Sequence, residues 1–110
     1  MQRISVSELA NWLAAARHNE RTAPVILDVR EPWEIGICRI DGAVAMPMAT
    51  VPLRASELDP QAETVVLCHH GMRSFQVAMF LERQGFSSIH NLTGGIDAWS
   101  HEIDTAMPKY

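Results

Sequence analysis

Residues 68–74, Cys-His-His-Gly-Met-Arg-Ser, put a thiol, two imidazoles, a glycine, a guanidinium and a hydroxyl side by side behind the apolar run Val65-Val66-Leu67. Cysteine reacts as its thiolate, so the chemistry of this stretch turns on what would stabilise a sulfur anion. If Val65–Leu67 lies in a strand and a helix follows Arg73, Cys68 stands at the carboxyl end of a strand, where open α/β sheets bind their ligands. The free N–H groups at the start of that helix, and the positive end of its dipole, favour an anion there. With Arg73 nearby, such a setting lowers a thiol pKa from about 8.5 toward 7 or below. Cys68 is therefore expected to be partly or largely ionised at neutral pH. Gly71 lets the backbone take a positive φ or come close to the sulfur. Arg73 offers a fork for an oxyanion, through the geometry of its guanidinium. Ser74 either caps the helix or donates to the sulfur.

The plainer reading is that Cys68 is a small buried residue behind an apolar strand. Strand, glycine, arginine and helix in this order favour the reactive one. Adjacent histidines point in different directions, so His69 and His70 either move protons or only shape the pocket together with Met72. No metal is expected, because the consecutive residues Cys68, His69 and His70 do not satisfy tetrahedral geometry and no second cluster supplies further ligands.

The elements that must position this stretch are legible as an alternation. Ser5-Val6-Ser7-Glu8 has capping-box spacing and leads into Leu9, Trp12, Leu13 and Ala16 at helical intervals. Residues 25–29, VILDV, form a β-branched run without alternation, as expected of a strand covered on both faces of a parallel sheet. Glu31-Pro32-Trp33-Glu34 suits a short helix with proline in its first turn, and residues 42–47 a short strand ended by Pro47. Residues 50–58 predict one or two helical turns, residues 64–67 a strand, and residues 74–85 a helix stopped by Gly85. A last strand covers 88–92, Gly94-Gly95 makes a turn, and Ile96 to Trp99 begin a final helix. The fold class is α/β, with a mostly parallel central sheet flanked by helices on both faces. Trp33, Phe75, Phe80 and Trp99 fall on apolar faces and are expected in the core.

The chain of 110 residues is expected to form one domain, residues 1–110, and its 47% apolar and 20% charged composition is that of a soluble globular protein. The net charge is −4, with nine basic residues scattered from Arg3 to Lys109, which argues against a nucleic-acid surface and leaves room for a small charged substrate. The N-terminus MQRISVSEL lacks the apolar core of a signal peptide, and no run reaches membrane-spanning length. Two cysteines, Cys38 and Cys68, are too few for a disulfide framework. Free thiols and a cytoplasmic location are expected.

Taken together, Ile4-Ser5 with Glu8-Leu9, LDVREPWE at 27–34, DGAVAMP at 41–47, CHHGMRS at 68–74 and LTGGIDAW at 92–99 resemble the rhodanese family of sulfurtransferases, in order and spacing across nearly the whole chain. The resemblance implies a single-domain thiosulfate sulfurtransferase, with Cys68 as the nucleophile that carries sulfane sulfur as a persulfide. It further implies that the backbone amides from His69 to Arg73 cradle that sulfur and that Arg73 fills the family's active-loop arginine position. Four residues separate Cys68 from Arg73, the loop length associated with sulfurtransferases; related dual-specificity phosphatases and arsenate reductases have five. Asp28, Arg30 and Glu34 match the family's DVRE motif and are read as braces for the loops, with a substrate role for Arg30 as the alternative.

No cofactor is implied. The expected partners are a small sulfur-containing substrate and a protein persulfide donor or thiol acceptor, with no nucleic acid and no membrane. The rival functions are a persulfide carrier or sensor module serving a partner protein, and a phosphatase or arsenate reductase. One departure from the family pattern is Cys38-Arg39-Ile40 where Gly-His-Ile is common. It leaves Cys38 either as a thiol that resolves or traps Cys68 or as a spare, partly buried one. Residues 100–110 resemble a short extension expected to pack back on the body.

Overall fold

Ser5 opens the first helix as its spacing predicts. Its hydroxyl accepts the Glu8 N–H at 3.1 Å, and the Glu8 carboxylate accepts the Ser5 N–H at 3.1 Å. In the computed structural model, which describes residues 1–110, helix α1 then runs Val6–Arg17 and buries Val6, Leu9 and Trp12. Five strands follow one direction: β1 Gln2–Ile4, β2 Val25–Asp28, β3 Val44–Ala45, β4 Thr64–Leu67 and β5 Ile89–Leu92. They form one parallel sheet in the order β1-β5-β4-β2-β3.

Strand β4 lies at the centre and is buried along its whole length, which explains why its sequence shows no polar alternation. Val65 and Leu67 pack with Leu9, Trp12, Ile96 and Trp99, beneath α1 and α5 (Gly95–Glu102). Val66 and Cys68 turn to the other face, against Val51 of α3 (Val51–Arg54) and Val77, Ala78 and Leu81 of α4 (Met72–Arg83). Helices on both faces of a parallel sheet are thus the observed architecture. No helix is long and apolar enough to cross a membrane.

The differences from expectation are local. Strand β1 has no apolar run of its own and exists through its pairing with β5. Residues 48–57 make a 3-10 turn, the short α3 and a second 3-10 turn. Helix α4 starts two residues before Ser74, with Gly71 as its N-cap in a left-handed conformation. Trp33 is not core: it is 64% exposed, because α2 (Pro32–Ile37) gives its buried position to Glu34. Trp99 is buried, and Phe75 and Phe80 are half-buried.

At the carboxyl end of β2, Arg30 is fully buried. Its guanidinium donates to Asp28 at 3.0 and 2.7 Å, to the Cys38 carbonyl at 2.7 Å and to the Glu34 carbonyl at 3.3 Å. This is the bracing role; a side chain so committed and so covered does not meet a substrate. Removing one partner of a buried pair leaves an uncompensated charge. Asp28→Asn is accordingly expected to lower the unfolding free energy by about 3 kcal/mol, measurable by urea denaturation.

Candidate active site

The loop from the end of β4 to α4 folds around one atom. Cys68 Sγ, in a residue only 2% exposed, accepts the backbone N–H of Gly71 at 3.1 Å and that of Ser74 at 3.4 Å, and its thiol reaches the Ser74 hydroxyl at 3.4 Å. Burial pushes the Cys68 thiol up. The Ser74 hydroxyl and the amides of Ser74, Gly71 and His70 push it down further, so the net shift is below the ordinary thiol value. Gly71 has φ 110°, a left-handed conformation that side chains rarely adopt, so the backbone and not a lack of space requires the glycine. Ser74 serves the sulfur and does not cap the helix.

The loop is held from outside as well. The first amides of α5 draw its carbonyls away from the sulfur: Ile96 N–H donates to the Cys68 oxygen at 2.9 Å and Asp97 N–H to the His69 oxygen at 3.0 Å. Gly95 permits this approach, since a Cβ there would run into the Cys68 and His69 carbonyls. The Gly94-Gly95 pair, expected only as a turn, is therefore the support beneath the cradle. Asn91 of β5 adds a third hold through Nδ2, which donates to the Gly71 oxygen at 3.1 Å.

Arg73 makes its hydrogen bonds to α2. Its guanidinium forks onto Glu34 at 2.6 and 2.8 Å instead of turning toward the sulfur, and the side chain stays 35% exposed at the rim. The hydrogen bonds that lower the Cys68 pKa come from backbone amides and a hydroxyl, and Arg73 interacts with the sulfur only through its charge. Arg73 holds the Glu34 carboxyl down at about 2 against the opposing effect of burial, helped by the Glu31 amide and the Tyr110 hydroxyl. Tyr110 donates to Glu34 at 2.7 Å and accepts from Arg30 at 3.1 Å. Its ring stacks on His69 with centroids 3.9 Å apart and meets Trp33 edge-on at 5.8 Å. Burial and Glu34 push the Tyr110 phenol up to about 12, so it is neutral at the rim. The tail thus packs back on the body as expected, with Met107 buried under α1 and α5, but the position of Tyr110 beside the loop had no signal in the sequence.

His69 is half-buried and His70 exposed. Burial and the neighbouring His70 lower the His69 pKa, which keeps it neutral at pH 7. His70 Nδ1 lies 3.8 Å from an Asp97 oxygen. His69, His70 and Asp97 offer ligand atoms within 4.8 Å of one another, a grouping made by α5 and one that leaves Cys68 out. Met72 is 78% exposed on the outer side, where an open groove of about 390 Å³ is bounded by Arg3, His70, Met72, Gln76 and Thr93. Cys38 packs among the residues of the α1 and α5 face and Cys68 among those of the α4 face. The sheet therefore lies between the two thiols.

Two outcomes follow from this geometry. Gly95→Ala should disrupt the loop and slow alkylation of Cys68, read as a lower iodoacetamide rate at pH 7 together with a lower urea midpoint. Because the folded pKa of Glu34 lies below its ordinary 4.5, its stabilisation is complete above that value and is lost as pH falls toward about 2. The unfolding free energy of the native protein should therefore fall more steeply over this range than that of Glu34→Gln.

A family model described as a rhodanese-like domain matches residues 9–102. The chain is 32% identical over 105 residues to a sulfurtransferase of Allochromatium vinosum, covering 94% of this chain and 98% of that protein. It is 35% identical over 87 residues to the thiosulfate sulfurtransferase GlpE of Pseudomonas fluorescens, covering 76% of this chain and 78% of that protein. It also spans 30% of the length of a larger relative, the rhodanese-like/PpiC domain-containing protein 12 of Arabidopsis thaliana; the two are 44% identical over 89 residues, 77% of this chain. Among solved structures, a rhodanese-like domain protein from Staphylococcus aureus superposes with a TM-score of 0.81 at 31% identity, covering 90% of this chain and 91% of that one. The cradle around Cys68 is thus carried on a shared fold and a shared sequence, and the chain belongs to the rhodanese-like sulfurtransferase family.

Proposed function

We propose that this chain transfers sulfane sulfur through a persulfide on Cys68, with thiosulfate as a small-molecule donor and cyanide or a thiol as acceptor. The observation that carries the reading is the convergence of the Gly71 and Ser74 amides and the Ser74 hydroxyl on a single sulfur that no cation touches. The relatives named as sulfurtransferases, one of them for thiosulfate, support it.

In the first half-reaction the Cys68 thiolate attacks the outer sulfur of thiosulfate. A Cys68 S–S bond forms, the S–S bond of thiosulfate breaks, and its electron pair leaves with sulfite. In the second, the acceptor attacks the outer sulfur of the persulfide, and Cys68 regains the pair as thiolate. No proton need move in either displacement, so the work of the protein is electrostatic preorganisation, chiefly by the loop amides. His69 and His70 then shape the entrance, and the neutral His69 held against Tyr110 fits that part. Arg73, committed to Glu34, acts by fixing the loop to α2 and leaves less free charge for a tetrahedral oxyanion than a phosphatase would use.

The same cradle suits a module that receives its sulfur from a partner protein, and one relative is named a putative sulfur carrier protein. Intact mass of the protein before and after thiosulfate, and again after cyanide, tests the proposal. The native chain and Cys38→Ser are expected to gain one sulfur and lose it to cyanide, while Cys68→Ser gains none. No gain in the native chain, with Cys68 still open to alkylation, would remove thiosulfate as donor and favour a protein donor.

A further inference from the structure

Cys68, Ser74, Asn91 and Gly71 form a closed ring of hydrogen bonds in which one proton has two claimants. The thiol reaches Ser74 Oγ at 3.4 Å, Ser74 Oγ donates to Asn91 Oδ1 at 2.6 Å, Asn91 Nδ2 donates to the Gly71 oxygen at 3.1 Å, and Gly71 N–H returns to the sulfur at 3.1 Å. Ser74 is fully buried and Asn91 is 5% exposed. The orientation of the amide is forced: the Gly71 carbonyl can only accept, so the NH₂ group faces it and the Asn91 oxygen faces Ser74. With sulfur as a thiol, S–H donates to Ser74 and the serine hydroxyl donates to Asn91. When the thiol gives its proton to solvent, the thiolate can only accept. The one hydroxyl proton of Ser74 must then choose between the sulfur and the amide oxygen.

We propose that Asn91 is a positioning residue of the sulfur site: its amide oxygen competes with the Cys68 thiolate for the Ser74 hydroxyl proton, while its NH₂ group pins the Gly71 carbonyl. The inference rests on Cys68 being the reacting group and goes beyond the sulfur-transfer reading, in which Asn91 has no part. In the persulfide the charge moves to the outer sulfur, about 2 Å beyond Sγ. Sγ then needs no donor, and the hydroxyl returns to Asn91. The competition therefore disfavours the empty thiolate relative to the loaded cysteine and eases loading of sulfur onto the site. No bond to hydrogen is gained or lost in this step; the hydroxyl only rotates.

A double-mutant cycle on thiol titration tests it, with the pH dependence of iodoacetamide alkylation measured in the native chain, Asn91→Leu, Ser74→Ala and the double variant. Loosening of the Gly71 carbonyl acts in both backgrounds and cancels in the comparison. The freed hydroxyl acts only when Ser74 is present. Asn91→Leu is expected to raise the thiolate fraction below the midpoint about fivefold more in the native background than in the Ser74→Ala background, the effect of one ordinary hydrogen bond. An equal effect in both backgrounds, or coupling of the opposite sign, overturns the proposal. If Asn91→Leu does not fold by circular dichroism, Asn91→Asp replaces it: its carboxylate holds the hydroxyl more firmly, and the thiolate fraction should fall more with Ser74 present than in the Ser74→Ala background, equality again overturning it. Alkylation needs no sulfur donor, so this cycle stays readable if thiosulfate proves not to load the protein. Conversely, absent coupling with intact loading would dismiss Asn91 alone.

Discussion

A thiolate in a residue 2% exposed has lost nearly all of its water, and an anion so placed exists only where the protein supplies equivalent donors. The rest of the structure can be understood from that requirement. The donors are backbone N–H groups, and several can meet at one atom only if the peptides of the loop all turn the same way. The carbonyl of each peptide must then point outward and find a partner there. Helix α5 receives the Cys68 and His69 carbonyls on its first amides, and Asn91 receives that of Gly71. The inward face of the loop thus depends on its outward face, and Gly71 and Gly95 are where a side chain would prevent one or the other.

The charges nearby are arranged so as not to compete with this. Asp28, Arg30, Glu34 and Arg73 alternate in sign, and Tyr110 is inserted between Arg30 and Glu34. The chain of pairs ties the end of β2, helix α2 and the loop into one block. Its cations are satisfied by carboxylates, so the hydrogen bonds to the sulfur come from dipoles that do not titrate. Dipoles of this kind suit a site whose sulfur gains and loses a neighbour without a change in overall charge, as in the proposed displacement.

The sheet itself separates two environments that the composition alone does not distinguish. Successive residues of β4 face opposite sides, so Leu67 lies under α1 and α5 while Cys68 lies under α4. A shift of one residue in register would put the thiol into the closed packing of the other face. Cys38 already sits on that other face, which makes it part of the packing there and removes it as a neighbour of Cys68.

The sequence by itself determined the order of elements, the parallel sheet and the strand-to-helix loop that carries Cys68. Each rests on information within a few residues: the capping box at Ser5 and Glu8, the β-branched runs of β2 and β4 without polar alternation, and the glycine, arginine and helix start behind Cys68. The family resemblance added the expected role of the loop, and with it the emphasis on backbone amides. Local pattern could not reach the partners that come from elsewhere in the chain. It did not pair Arg73 with Glu34, placed Trp33 inside where it is exposed, and gave no place beside the loop to Tyr110 or Asn91 and no function to Gly95. The contacts that Arg73, Tyr110 and Asn91 make differ from the legible features in one physical respect: each joins residues 17 or more positions apart, at a distance set by how β5, α5 and the tail pack on the loop. Propensity and periodicity record what a segment prefers; only packing decides what it touches.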